Sequence, residues 1–149
     1  MPAPDASDQG GRGAGGRMVG SVPYSYVILR VVPNVERGER INVGVVLFCR
    51  QRRFLGVRWQ LDGDRLAALS GGDRASAAEL EAELDGHLRA LARVAEGDEG
   101  AGPIAALDQS DRFGWLAAPS STVVQPSEAH TGLCADPLQA LEALFARVV

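Results

Sequence analysis

Lysine is absent from this chain of 149 residues, and all fifteen basic side chains are arginine. Beside eighteen glycines and many alanines, this reads as a bias of the coding sequence. The number of arginines is therefore not by itself evidence of an anion-binding role. Aromatic residues make up only 5% of the chain, which leaves Leu, Val and Ala to build most of a core. The two cysteines, Cys49 and Cys134, have no CxxC partner and no metal-like spacing, and a reducing, cytoplasmic setting is expected. No apolar run approaches the length of a membrane span, and the N-terminus lacks the hydrophobic stretch of a secretory signal. There is no Walker-type phosphate loop, no GxSxG, no HExxH and no paired-cysteine metal site, so neither a cofactor nor a metal is expected.

What is present is ordinary for a globular chain: 46% apolar and 23% charged residues, with a formal net charge of −4. That sign argues against a dedicated nucleic-acid binder. The charges are unevenly placed. Arg30 to Arg58 holds seven arginines and two glutamates, while Trp59 to Asp111 holds twelve acids and four arginines. Complementary surfaces within one domain account for this, and an anion or partner site on the basic part is the alternative.

Residues 1–21 are rich in Gly, Pro, Ala and Asp, and cannot bury enough surface to offset their ordering entropy. A disordered tail is expected there, with Met18 a candidate for the true start, followed by a single α+β domain over 22–149. Tyr24 to Val32 is β-branched and aromatic and runs into Pro33 and Asn34. Ile41 to Cys49 is apolar at every odd position, which places Ile41, Val43, Val45, Leu47 and Cys49 on one core-facing side. The polar connection with Gly38 predicts an antiparallel hairpin, and Phe54 to Trp59 adds a third meander strand. Helices are predicted over Leu61 to Leu69, from a capping box at Ser76 and Glu79 through the stripe Leu80, Leu84, Leu88, Leu91, and from Asp136 and Pro137 to the end. Phe113 to Leu116 and Ser121 to Gln125 are candidate short strands. The fold class predicted is a small antiparallel sheet, a meander plus one or two later strands, packed by two or three helices.

Candidate functional residues follow from polar side chains in apolar surroundings. Asn42 lies just inside a nearly all-apolar strand, where Asn is disfavoured, on the same face as Gly44. Arg30 points the same way as Tyr24, Tyr26 and Ile28, and Glu39 is the obvious acceptor for it if that face is covered. Arg37 offers forked donors for carboxylate or phosphate, although Glu36 and Glu39 can neutralise the turn from within. His130 falls in a loop-like stretch with Ser127, Thr131 and Gly132, where a histidine suits proton transfer or anion contact. His87 reads as a histidine flanking the core, Cys49 as a small buried hydrophobe and Cys134 as a loop residue.

The run of Leu29, Arg30, Val32 and Pro33, then Arg37, Gly38 and Glu39, then Asn42, Gly44 and Val45 resembles a bacterial family, domain of unknown function 3037 (DUF3037). So do Ser121 to Pro126 with His130 to Gly132, and the closing helix; the resemblance spans Tyr24 to Val149. It implies no established activity. It implies companionship, through gene adjacency, with kinase-like proteins of the HipA type, and hence an accessory, partner-binding role. It also implies an arginine before the S-T-V segment, where this chain has Ser120 after Pro119, so an anion site there is weakened. Three functions are therefore open. One is a protein-binding accessory domain. Another is a small enzyme or sensor of an anionic, phosphorylated ligand using Arg30, Arg37, Glu39, Asn42, Ser121 and His130. The least supported is an arginine-based DNA regulator, since no helix-turn-helix pattern is present.

Overall fold

Sequence alternation sets three strands in a row, and the computed structural model, which describes residues 20–34, 36–120 and 122–149, pairs them as an antiparallel meander. These are β1 (Val22–Val31), β2 (Ile41–Cys49) and β3 (Phe54–Trp59). Two later strands, β4 (Val124–Pro126) and β5 (His130–Cys134), both pair antiparallel with the free side of β1. The fold is α+β. The expected tail up to residue 19, including Met18, lies outside the described residues, as do Val35 and Ser121.

The helices are α1 (Gly63–Leu69), α2 (Arg74–Glu96), α3 (Gln109–Ala117) and α4 (Pro137–Val148), with two short 3-10 turns between α2 and α3. Each α-helix starts at an aspartate, Asp62, Asp73, Asp108 or Asp136, whose carboxylate accepts from first-turn amides that have no partner within the helix. For α2 this corrects the expected capping box. Asp73 is the cap, and Ser76 sits inside the first turn, where its hydroxyl donates to Asp73 Oδ2 at 2.7 Å. Aspartate wins because it accepts both the Ala75 and Ser76 amides at once.

Both faces of the sheet are packed, and the expected one-sided core is split in two. The face towards α1, α2 and α3 buries Val27, Leu29, Val31, Val43 and Val46 against Leu66, Leu84, Leu88, Leu91 and Leu116. The face towards α4 buries Val45, Leu47 and Cys49 against Leu141, Leu144 and Phe145. The odd-numbered residues of β2 thus change face partway along. The cause is a β-bulge: Leu29 pairs with Gly44 and Arg30 with Asn42, so Val43 is an extra residue with no partner on β1. A one-residue insertion moves every later side chain to the other side. Gly44 permits it, because a Cβ there would lie 2.8 Å from the Arg58 carbonyl oxygen and 3.0 Å from Trp59 Cβ.

Two further expectations are corrected. Phe113 to Leu116 is helical, within α3, because the Asp108 cap starts a helix that turns Leu116 into the core and stacks Phe113 on Phe48 at 5.4 Å. His130 and Cys134 stand on β5 and not in a loop. The apolar alternation that marks a strand is missing there because Thr131 and Leu133 face outward at an uncovered end of the sheet.

Candidate functional site

Helix α4 rests on β2 and β3 and leaves the same face of β1 half-exposed. Along that face stand Tyr24, Tyr26, Ile28 and Arg30, as strand alternation requires. The register brings neighbours alongside: His130 of β5 is opposite Tyr26, Gly132 is opposite Tyr24, and Arg30 is flanked by Asn42 on β2 and Gln125 on β4. The result is a strip with an aromatic end and a polar end.

At the aromatic end the Tyr24 and Tyr26 rings lie 5.9 Å apart between centroids, and the Tyr26 and His130 rings 5.2 Å, tilted by 42° and 33°. Such spacings are those of favourable ring pairs. Gly132 makes room for the first ring, since a Cβ there would fall 2.5 Å from Tyr24. Burial raises the Tyr24 phenol above its ordinary range, reinforced by Tyr26 and Cys134 and opposed by the Arg147 guanidinium on the last turn of α4.

At the polar end the Asn42 amide donates to the Val148 carbonyl at 3.0 Å and closes the last turn of α4. This supplies a structural reason for an Asn in an apolar strand, and the close approach at Gly44 is to the chain's own backbone. Gln125 Nε2 donates to the Thr122 carbonyl at 2.9 Å. Arg30 does not depend on Glu39, whose carboxylate is paired with Arg37 at 2.9 Å on the exposed hairpin turn.

The six residues singled out in the sequence therefore fall into separate places. Arg30 and Asn42 are adjacent, Arg37 and Glu39 satisfy each other in solvent, and Ser121 lies outside the described residues. His130 is on the same strip, but its partner Tyr26 is four residues along β1 from Arg30, about 13 Å at strand rise. That is beyond direct proton transfer between His130 and a group held by Arg30 and Asn42. Among the described residues, no cluster of three or more His, Cys, Asp or Glu is placed to hold a metal. No helix there is long and apolar enough to cross a membrane.

The sequence marks Ser127 only as a neighbour of His130, and its role lies elsewhere. It is buried, its amide donates to the Ile28 carbonyl at 2.8 Å, and its hydroxyl accepts from the Ile28 amide at 2.8 Å. A side chain thus completes the β1 ladder across the gap between β4 and β5. Sequence reading did not find an apolar groove of about 320 Å³ on the opposite side of the sheet, between α2, the end of α3 and β4. Leu29 and Leu116 form its floor, and His87, Trp115, Pro119 and Pro126 its walls, with Trp115 46% exposed. The signal available in the sequence was Trp115 followed within a few residues by Pro119.

A small antiparallel sheet with three helices on one face and a single helix on part of the other defines an α+β domain with two accessible surfaces. The chain belongs to the family described as "Protein of unknown function (DUF3037)", whose model matches residues 26–149. No curated protein and no solved structure matches it.

Proposed function

We propose that this domain is an accessory module that binds a protein partner, and that the partner is a kinase-like protein of the HipA type. The observation that carries the reading is the Trp115 groove. A half-exposed tryptophan beside a concave apolar floor is costly to leave in water, and it is the residue type that dominates protein interfaces. The partner class comes from the gene adjacency that the family resemblance implies. Co-expression with the adjacent kinase-like protein tests it. Co-purification is expected with the native chain and is lost with Trp115→Ala, while the variant melts at the native temperature. Two proteins that stay separate in that experiment would sink the reading.

A second reading, a sensor of an anionic ligand, is favoured by one observation: Arg30 sits between two side-chain amides on the half-covered face of β1. A guanidinium with amide donors on both sides suits phosphate or carboxylate. Stabilisation of the native state by pyrophosphate, lost with Arg30→Gln, is the expected result.

A further inference from the structure

Both tyrosines of the chain lie on the half-covered face of β1, in line with His130, in a protein with only eight aromatic residues of the Phe, Trp and Tyr types. A core short of aromatic material has a use for each ring inside, yet these two stand where helix α4 stops short. The Tyr24 ring lies close over Gly132 of β5, where a Cβ would fall 2.5 Å from it. None of the residues that form the strip is acidic: Tyr24, Tyr26, Ile28, Arg30, His130 and Gln125. Glu128 is exposed in the connection before His130. The cation of the strip, Arg30, stands at its polar end, beside Asn42 and Gln125, and the opposite end is formed by Tyr24 and Gly132.

We propose that this strip is a mononucleotide site, in which a base stacks on Tyr26 and His130 while the phosphate is held by Arg30. The inference rests on the anionic-ligand reading above and adds the base to it. Aromatic rings on an open sheet surface accept any base through its π-face, and a guanidinium gives phosphate two parallel hydrogen bonds. The interval of about 13 Å between Tyr26 and Arg30 along the strand is too long for a bare anion to touch both. It matches a base and a phosphate separated by a ribose, once the arginine side chain reaches back along the strip. The second N–H groups of Asn42 and Gln125 lie beside the phosphate end, since each amide spends one hydrogen on a backbone carbonyl.

The test is calorimetric titration and thermal shift of the whole chain with adenosine monophosphate, adenosine, ribose 5-phosphate and pyrophosphate. Adenosine monophosphate is expected to bind at least about tenfold tighter than any of the other three, the scale of one base stacked on a ring. Tyr26→Leu and His130→Gln are expected to weaken adenosine monophosphate and adenosine by a similar factor while leaving pyrophosphate unchanged. Arg30→Gln should weaken adenosine monophosphate and pyrophosphate and leave adenosine unchanged. His130→Gln, on an edge strand, keeps the test available if Tyr26→Leu does not fold. If pyrophosphate binds as tightly as adenosine monophosphate and the aromatic variants change nothing, the anion reading stands and the nucleotide is overturned. If none of the four ligands shifts the melting temperature at millimolar concentration, both are overturned.

Discussion

The Asn42 side chain donates a 3.0 Å hydrogen bond to the carbonyl of Val148, 106 residues further along the chain. One strand amide thereby caps the helix that covers half of the sheet. The last carbonyls of a helix have no internal partner, and the bulge at Val43 turns Asn42 to the side where α4 ends. Asn42→Ala is expected to lower stability by about 1 kcal/mol, the usual net worth of such a bond. For a chain of this length that is roughly 3–5 °C in melting temperature. Asn42→Asp should cost more, because a carboxylate cannot donate to the carbonyl it would face. Urea denaturation of the two variants checks the order, and equal stabilities would contradict the capping role.

Gly44 and Gly86 make opposite predictions for the same substitution. A Cβ on Gly44 would press on the Arg58 carbonyl at 2.8 Å in the middle of the sheet, whereas one on Gly86, in α2, meets nothing within 4 Å. Gly44→Ala is expected to destabilise by about 1–3 kcal/mol through overpacking. Gly86→Ala should stabilise by about 0.5–1 kcal/mol, the helix propensity difference. Thermal melts of the two variants, run against the native chain, show whether the signs differ.

The meander was legible in the sequence because its signals are local. β2 and β3 occupy the predicted residues, and α4 starts at the predicted Asp-Pro. What period-two alternation cannot carry is an inserted residue. Ile41, Val43, Val45, Leu47 and Cys49 look like one face, and only pairing with β1 shows the switch at Val43. Phe113 to Leu116 was misread for a related reason: four apolar or small residues fit either a strand or a helix turn, and the deciding Asp108 cap lies outside the run. β5 was hidden because its inward positions are His130, Gly132 and Cys134, which do not imprint the apolar alternation of a half-buried strand, while Leu133 faces outward. Of the candidate site, Arg30 and Asn42 are neighbours across β1 and β2, and Asn42 is bonded to the end of α4. Their closeness is a consequence of register, as is the separation of His130 from them.

Ser127 tests how the gap between β4 and β5 is closed. Its hydroxyl accepts from the Ile28 amide and donates to the Glu128 carbonyl, both at 2.8 Å, in a buried position. Removing it leaves a donor on the central strand without a partner, which costs about 1–3 kcal/mol. Ser127→Ala should therefore destabilise more than its small volume suggests. Amide exchange at Ile28 should accelerate while that at Val27 and Leu29 changes less. Unchanged exchange at Ile28 would mean that another group replaces the hydroxyl.

The thiol of Cys134 gives the domain an alkaline limit. Burial, reinforced by the neighbouring Cys49, pushes it from its ordinary 9.0 up to about 11. The folded state therefore holds a proton that the unfolded chain releases first. Its contribution to stability is complete below about pH 9 and is lost as the pH rises towards 11. The Tyr24 phenol, raised by burial, acts in the same direction. Urea midpoints are expected to be level between pH 7 and pH 8.5 and to fall by pH 10.5, and Cys134→Ala should reduce that fall. Because the thiolate is the nucleophile, iodoacetamide should modify Cys134 slowly at pH 8 in the native protein and readily in urea. Rapid native labelling, or an alkaline fall of the same depth in Cys134→Ala, would show that the thiol is not held protonated by its surroundings.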